Sequence, residues 1–384
     1  MPIKFSRAYL EEIRFRYRNC TKKQKGKVLD EFCQVCDFTR KHAIRILKGQ
    51  FGSHRKRPGP RSKYNRSDVI KALKDLWGFM NQMCSKKIKA ALPDWLPFYE
   101  APDEVKVLLL KMSASTIDRL TKAFRSPLQR GLSATRPGLI KNRIPLKLLD
   151  GDITMPGYTE IDTVVHCGNS LLGEYASSLT MTDLCSGWTE NRAIWGKTGE
   201  VVMTQMKDIE DRLPFTLISV ASDNGTEFLN EDVFSYLRNR EAPVNFVRRR
   251  PYKKNDNAHV EQKNWTHVRQ LFGYERFEEP RLIAMMNEIY RAFWNPLHNC
   301  FTPVLKLIKK ERIGGRVKKK YDEPKTPYKR LLENTFVPAK EKLRLTDVYR
   351  TKNPIYLKKE LDKKLKELFN LVDEIKRSKR LTGS

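Results

Sequence analysis

Up to about residue 125, apolar residues recur every three or four positions, the spacing of helices that bury one face. Thr21 to Phe32 reads as a helix with Val28, Leu29 and Phe32 inward. After a break near Asp37, Thr39 caps a second helix, Arg40 to Lys48. Its Ala43, Ile44 and Leu47 face in, while Arg40, Lys41 and Arg45 face out. Two short helices across a tight turn fit a helix-turn-helix unit, and equally a plain bundle. Ser67 to Met83 carries a broad apolar stripe of core type. In SASTIDRLTKAF, Ser113 caps a helix with Ile117, Leu120 and Phe124 inward and Thr116, Arg119 and Lys122 left polar, a second candidate of the same kind.

From Tyr158 the period shortens. Tyr158 to His166, Ser177 to Leu184 and Trp188 to Trp195 read as successive strands. Gly199 to Arg212 is helical, Leu217 to Ala221 a strand, Glu231 to Arg240 a helix and Val244 to Arg248 a strand. A long helix then runs from near Asn257 towards Phe272. Consecutive strands followed by alternating helix and strand predict a mixed five-stranded α/β sheet with helices on both faces. Near the end, Leu361, Leu365, Leu368, Val372 and Ile375 alternate by four and three, a short heptad seam. It suits a dimerisation helix, or one laid on its own protomer.

Charge adds a partner. The chain has 75 Lys and Arg against 45 Asp and Glu, a net +30. Such an excess repels itself unless a polyanion neutralises it, and nucleic acid rewards it through counterion release. A membrane surface would ask for one basic amphipathic helix, whereas here the bases run along the whole chain. No membrane-spanning or signal-peptide run is visible, so a cytoplasmic, nucleoid-associated protein with no membrane partner is expected. Basic, Pro- and Gly-rich linkers punctuate the chain at Gly52 to Lys63, Ser126 to Pro156 and Arg312 to Arg330. They suggest a multidomain order. Residues 1–51 and 67–125 are all-α helix-turn-helix units around a 52–66 linker. A 126–157 linker, an α/β core at 158–310, a basic linker at 311–330 and a basic, partly helical C-terminal region at 331–384 follow. On a chain that holds DNA, the outward Arg40, Lys41, Arg45, Thr116, Arg119 and Lys122 become contact candidates. Seven cysteines form no zinc pattern; Cys33-x-x-Cys36 with His42 and His54 is better read as small core residues in a reducing compartment.

Three acids stand out within the α/β pattern. Asp162 lies inside the first strand (YTEIDTVVH), where a charge is costly to desolvate without a partner. Asp223 follows the fourth (ISVASDNGTEF), at a strand's carboxyl end, where open α/β sheets place ligands. Glu261 comes 38 positions later, in the first turns of the long helix (NDNAHVEQKNW). Carboxylate oxygens with few soft ligands suit Mg²⁺ or Mn²⁺, and two such ions about 3.5–4 Å apart can activate an attacking oxygen and stabilise a leaving one. Each acid also has a plainer reading: a buried acid paired to an arginine, an Asp-Asn-Gly turn, and a first-turn acid favoured by the helix dipole.

These segments are recognisable together. EIDTVVHCG, TDLCSGWTE, SDNGTEF, RPYKKNDNAHVEQKNW and VRQLFGY resemble bacterial insertion-sequence transposases of the DDE class, whose core is similar to retroviral integrases. RPGPRSKY, LPDWLPFYE, SASTIDRL, TPYKRLL and NPIYLKKEL look like one branch of that family. The resemblance implies an RNase H-like core and a polynucleotidyl transferase with endonuclease activity. Asp162, Asp223 and Glu261 would be the catalytic, metal-binding trio holding two Mg²⁺ (or Mn²⁺) ions. Water would cut at the transposon ends to expose a 3′-hydroxyl, which would then attack target DNA. The implied partners are double-stranded DNA, as terminal inverted repeats and as target, and further copies of the chain in a homo-oligomer on that DNA. The likeness departs at His166, which sits differently after the first aspartate, and in the lack of a His and Cys zinc domain at the N-terminus. Lys254, Lys263 and Arg269 flank Glu261 as phosphate contacts or as solvated bases; Asp256 is a rival carboxylate; Glu160 shares a strand face with Asp162. Trp188, Trp265 and Trp294 read as core. The competing reading is a non-catalytic, sequence-specific DNA-binding regulator derived from a transposase; a nuclease that cuts without joining leaves the helix-turn-helix units unexplained.

Overall fold

A computed structural model of the chain describes residues 7–49, 63–124, 153–170, 172–196, 198–222, 227–228, 230–248, 263–313 and 316–382. They fall into two compact units divided between Asn65 and Arg66. In the first, helices α1 (Arg7–Asn19), α2 (Lys22–Cys36) and α3 (Arg40–Leu47) close over Ile13, Leu29, Phe32, Cys36, Ile46 and Leu47. Thr21 and Gln24 form a reciprocal cap at the start of α2, with the Thr21 N–H donating to Gln24 Oε1 at 3.0 Å. Asp37 ends α2 in the left-handed region (φ 52°), which turns the chain sharply into α3. Helix α1 has no counterpart in the sequence reading, and Ile46 takes the fully buried position expected of Ile44. Cys36 is a core residue, as read from the sequence, and every cysteine is a free thiol.

The second unit begins with α4 (Ser67–Phe79), α5 (Ser85–Trp95), α6 (Asp103–Lys111) and α7 (Ala114–Thr121). Ser113 caps α7 by accepting the Thr116 N–H at 3.1 Å. These helices are fastened to the rest of the unit: the Trp95 indole donates to the Phe301 carbonyl at 3.1 Å, and Asp94 accepts from Lys329 at 2.6 Å and Tyr349 at 3.1 Å.

The sheet consists of β1 (Tyr158–Val165), β2 (Ala176–Asp183), β3 (Thr189–Trp195), β4 (Ser219–Ser222) and β5 (Asn245–Arg248), in the order β3-β2-β1-β4-β5. β1 to β3 form an antiparallel meander; β4 and β5 join parallel to β1. Ile161, Leu179 and Val220 point to one face and meet Val202 and Met206 of α8 (Gly199–Glu210) and Val233 of α9 (Glu231–Arg238). The other face carries Thr180 and Asn191. It is covered by α10 (Asn264–Arg269 continued by Gln270–Phe272) and α11 (Leu282–Glu288, continued through Ile289–Trp294 and Asn295–Phe301). Gly157 ties the central strands: its N–H donates to Asp183 and its carbonyl accepts from Ile218 and Ser219. A side chain there would sit 2.4 Å from the Thr216 carbonyl, and φ is +110°, so only glycine fits.

Beyond the sheet, a stretch read as a flexible linker is instead an antiparallel hairpin, β6 (Leu307–Ile313) and β7 (Arg316–Tyr321). Helices α12 (Pro327–Glu333), α13 (Ala339–Arg350) and α14 (Pro354–Thr382) follow. The heptad seam of α14 lies on its own unit. Leu361, Leu368, Val372 and Ile375 are buried, Phe369 meets Phe277, and Lys364 and Lys379 reach Glu288 and Glu278 at 3.1 and 3.0 Å. Among the described residues, no helix is long and apolar enough to cross a membrane.

Candidate active site

Asp162 occupies the middle of the central strand, and its neighbours explain how a carboxylate survives there. One carboxylate oxygen accepts the backbone N–H of Thr163 at 2.8 Å; the other accepts Nδ2 of Asn264, from the start of α10, at 2.6 Å. Antiparallel register sets Asp162 opposite Thr180, and Thr180 opposite Asn191. Asn191 donates to the Thr180 hydroxyl at 2.9 Å and meets His267 Nδ1 at 3.2 Å. A polar lane therefore crosses three strands, and α10 reaches it with Asn264 and, one turn on, His267. Burial holds His267 and its neighbour His298 (ring centroids 4.3 Å apart) well below the usual imidazole range, so both are neutral. On the other side of β1, Ser222, the last residue of β4, pairs with Ile161 beside Asp162.

Asp223 is the next residue after Ser222, and Glu261 precedes Asn264 by three positions; both lie outside the described residues, as do Lys254 and Asp256. Among the described residues no cluster of three His, Cys, Asp or Glu is gathered for a metal. The donors near Asp162 do suit a hard cation. Asn264 Oδ1 is buried without a hydrogen-bond partner, beside a carboxylate its own amide group already holds. Carboxylate and amide oxygens are donors of the type that Mg²⁺ or Mn²⁺ takes, in preference to a soft metal.

The other candidates are placed unequally. Arg40, Lys41, Arg45, Arg119 and Lys122 are exposed, and Thr116 is half-buried on its cap. Lys263 is turned inward: it donates to the Gly187 carbonyl at 3.2 Å, and burial, helped by the charge of Lys87, pushes its ammonium down to about 7. Arg269 bonds the Val165 and Gly273 carbonyls and lies over the Tyr274 ring, 4.7 Å from its centroid. His166 shares the face of Asp162 but is sealed among aromatics. It stacks on Phe277 at 5.0 Å, meets Ser178 Oγ at 2.8 Å, and is pushed down to about 3 by burial and then by Arg269. Glu160 is buried on that same face. Trp188 and Trp294 are core, but Trp265 is 45% exposed, because it lies on the solvent side of α10. Asn264, Thr180 and Asn191 went unnoticed in the sequence. Only the position of Asn264, three residues after Glu261, hinted at it.

This site lies within a length of chain shared with a curated relative. An "Uncharacterized protein y4rM" of Sinorhizobium fredii (strain NBRC 101917 / NGR234) is 35% identical over 333 residues, covering 84% of this chain and 93% of that protein. The chain belongs to the y4rM family. No family model matches it. Among solved structures, this y4rM-family chain is similar to the catalytic core domain of BIV integrase, at 17% identity over 45% of this chain and 91% of that one. The TM-score of 0.28 is too low for that likeness to carry any argument.

Proposed function

We propose that this chain is a DNA transposase, a polynucleotidyl transferase that cuts DNA at the 3′ ends of a mobile element and joins them to target DNA. The observation that carries the reading is the setting of Asp162: mid-strand, oriented by Asn264 of α10, and in register with the end of β4. Chain connectivity supports a trio. Asp223 follows β4 directly and Glu261 precedes Asn264 by three positions, so both neighbours of Asp162 lead along the chain to the expected acids. The mixed five-stranded sheet fits the RNase H-like core implied by the sequence resemblance.

In this reading Asp162, Asp223 and Glu261 hold the ions, with Asn264 fixing the Asp162 carboxylate and offering its own oxygen. Two bound Mg²⁺ ions would supply the charge that activates an attacking oxygen and steadies a leaving one. The protein's part is positioning, so no serine or cysteine nucleophile is required. The exposed bases of α3 and α7 would engage terminal repeats, helix-turn-helix fashion, and two ends would call for a homo-oligomer on DNA, in the cytoplasm with the nucleoid.

The test is strand transfer by purified full-length protein on duplexes carrying the DNA that flanks its gene, with Mg²⁺, beside Asp162→Asn and Asp223→Asn. Wild type should release 3′-hydroxyl ends and join them, while both variants bind the same duplex and do neither. Joining by either variant at the wild-type rate overturns the site. Binding by wild type with no Mg²⁺-dependent cleavage overturns the enzyme in favour of a DNA-binding regulator.

A further inference from the structure

The β6–β7 hairpin has a strongly basic sequence. Its strands carry Lys309, Lys310, Arg312, Arg316, Lys318, Lys319 and Lys320 against Glu311, a net +6 in thirteen residues, where the whole chain carries +30 in 384. The register sets lysine against lysine, Lys309 opposite Lys320 and Lys310 opposite Lys319. Like charges directly across an antiparallel pair oppose the pairing. Glu311 offers local relief, as it pairs with Lys309 and lies opposite Lys318 in the register.

The hairpin is nonetheless firmly rooted. Val304 and Lys325 exchange backbone hydrogen bonds at 2.9 and 3.3 Å, and Lys306 and Asp322 close the next rung at 2.9 and 2.7 Å. Arg330 holds the Asp322 carboxylate at 2.6 Å, and the Lys306 ammonium donates to the Cys185 carbonyl in the β2–β3 turn. Past this root the strands pair only with each other, and Ile308, Val317 and Tyr321 are 61, 48 and 45% exposed. A ribbon built this way holds like charges together in an extended, exposed strand pair, and Glu311 offsets one of seven.

We propose that the β6–β7 hairpin is a sequence-independent contact for duplex DNA, laid along a groove with its lysines on the flanking phosphates; that the polyanion is DNA rests on the function proposed above. A two-stranded ribbon fits the major groove, about 12 Å wide. Lysine dominates over arginine, asparagine and glutamine, and lysine is a point charge suited to phosphate, not a bidentate reader of base edges. The hairpin therefore suits DNA whose sequence is not fixed in advance, as target DNA is.

The test uses full-length protein and a fluorescent duplex of random sequence, titrated by anisotropy across a range of salt. Lys318→Gln/Lys319→Gln/Lys320→Gln should lower affinity about tenfold or more and flatten the slope of log affinity against log salt by about 2–3, near one for each phosphate no longer neutralised. Lys359→Gln/Lys363→Gln/Lys366→Gln, which removes equal charge from the exposed side of α14, should change both far less. Melting curves matching wild type show that both triples fold; if the hairpin triple melts early, Lys319→Gln alone is read instead, with a slope change near one. Equal losses in the two triples, or no loss in the hairpin triple, overturn the proposal while leaving the catalytic reading intact. Stronger hairpin-dependent binding to an RNA duplex or to phosphatidylserine vesicles overturns it also. A wild type that binds no duplex at all overturns the catalytic reading itself.

Discussion

Replacing Arg192 tests how the sheet tolerates charge behind the candidate site. Its side chain is fully buried on β3 and donates to Glu190 at 3.1 Å, to Asp208 of α8 at 2.5 Å and to the Asn191 carbonyl at 2.7 Å. Glu190 is almost as buried, and also accepts from Trp188 at 3.1 Å and Asn295 at 2.9 Å. In Arg192→Leu, Asp208 is partly exposed and retains Arg291 at 3.0 Å, so it is compensated. Glu190 is not. Stranding one partner of a buried pair costs about 3–5 kcal/mol, and the three remaining donors, Asn299 at 3.5 Å among them, favour the low end, about 3 kcal/mol. At about 2 °C per kcal/mol for a unit this large, the melting point should fall by roughly 6 °C. Burial already pushes the Glu190 carboxyl up, against the pull of Arg192, and without that pull it rises further. A raised carboxyl is an asset below its unfolded value of about 4.3 and a liability above its folded one. The deficit against wild type should therefore be full at pH 7 and shrink towards pH 4. Arg192→Leu/Glu190→Gln, which removes the stranded charge but keeps an acceptor for Trp188, should recover about half of the loss. Denaturation followed by tryptophan emission measures all three proteins, with Trp188 reporting from the network. A loss under about 1 kcal/mol, a double variant no better than the single, or a deficit indifferent to pH refutes the reasoning.

Other outcomes follow from the same geometry. Asn264→Ala removes a positioning donor from Asp162; strand transfer should fall by about 10–100-fold and recover in part at higher Mg²⁺, in a metal titration of rate. His166 is held neutral and pushed down to about 3, against about 6.5 unfolded, so the unfolded chain binds the extra proton between these values. Stability should then fall as pH drops below 6.5, by roughly 2 kcal/mol at pH 5 from this group alone, and the fall should be shallower in His166→Phe. Gly157→Ala forces a Cβ against the Thr216 carbonyl in a left-handed backbone, and a loss of about 2 kcal/mol or more by thermal melting is expected; a neutral result would mean the β1 entry can shift.

The α/β layout was legible because short runs carrying strand formers such as Val, Ile, Thr, Phe and Trp are bounded by turn formers, so β1 to β5 lie within a residue or two of their expected limits. Asp162 was legible as a charge in an apolar strand. Its supports were not: Thr180 and Asn191 are 18 and 29 positions downstream, and only strand register brings them together. The β6–β7 hairpin escaped because lysines mask a strand's alternation, although Gly314-Gly315 between Ile313 and Arg316 is a turn signal in its own right. Helix α1 went unread although Tyr9, Leu10, Ile13 and Tyr17 recur at helical spacing and pack on the first core, with Arg and Glu interspersed among them. For α14 the seam fitted two partners, and its burial on α11 is a matter of tertiary competition that periodicity does not encode.

That last helix also sets a timetable for synthesis. Residues 354–382 leave the ribosome after the elements they cover, so Phe277 and the outer side of α11 have no lid while the chain is being made. At roughly 5–20 residues per second, the interval between residues 301 and 382 is about 4–16 s, during which that apolar surface is open to chaperones or to another nascent chain. Folding of this unit is thus completed only once α14 has emerged, and a messenger truncated before α14 yields a species prone to aggregate.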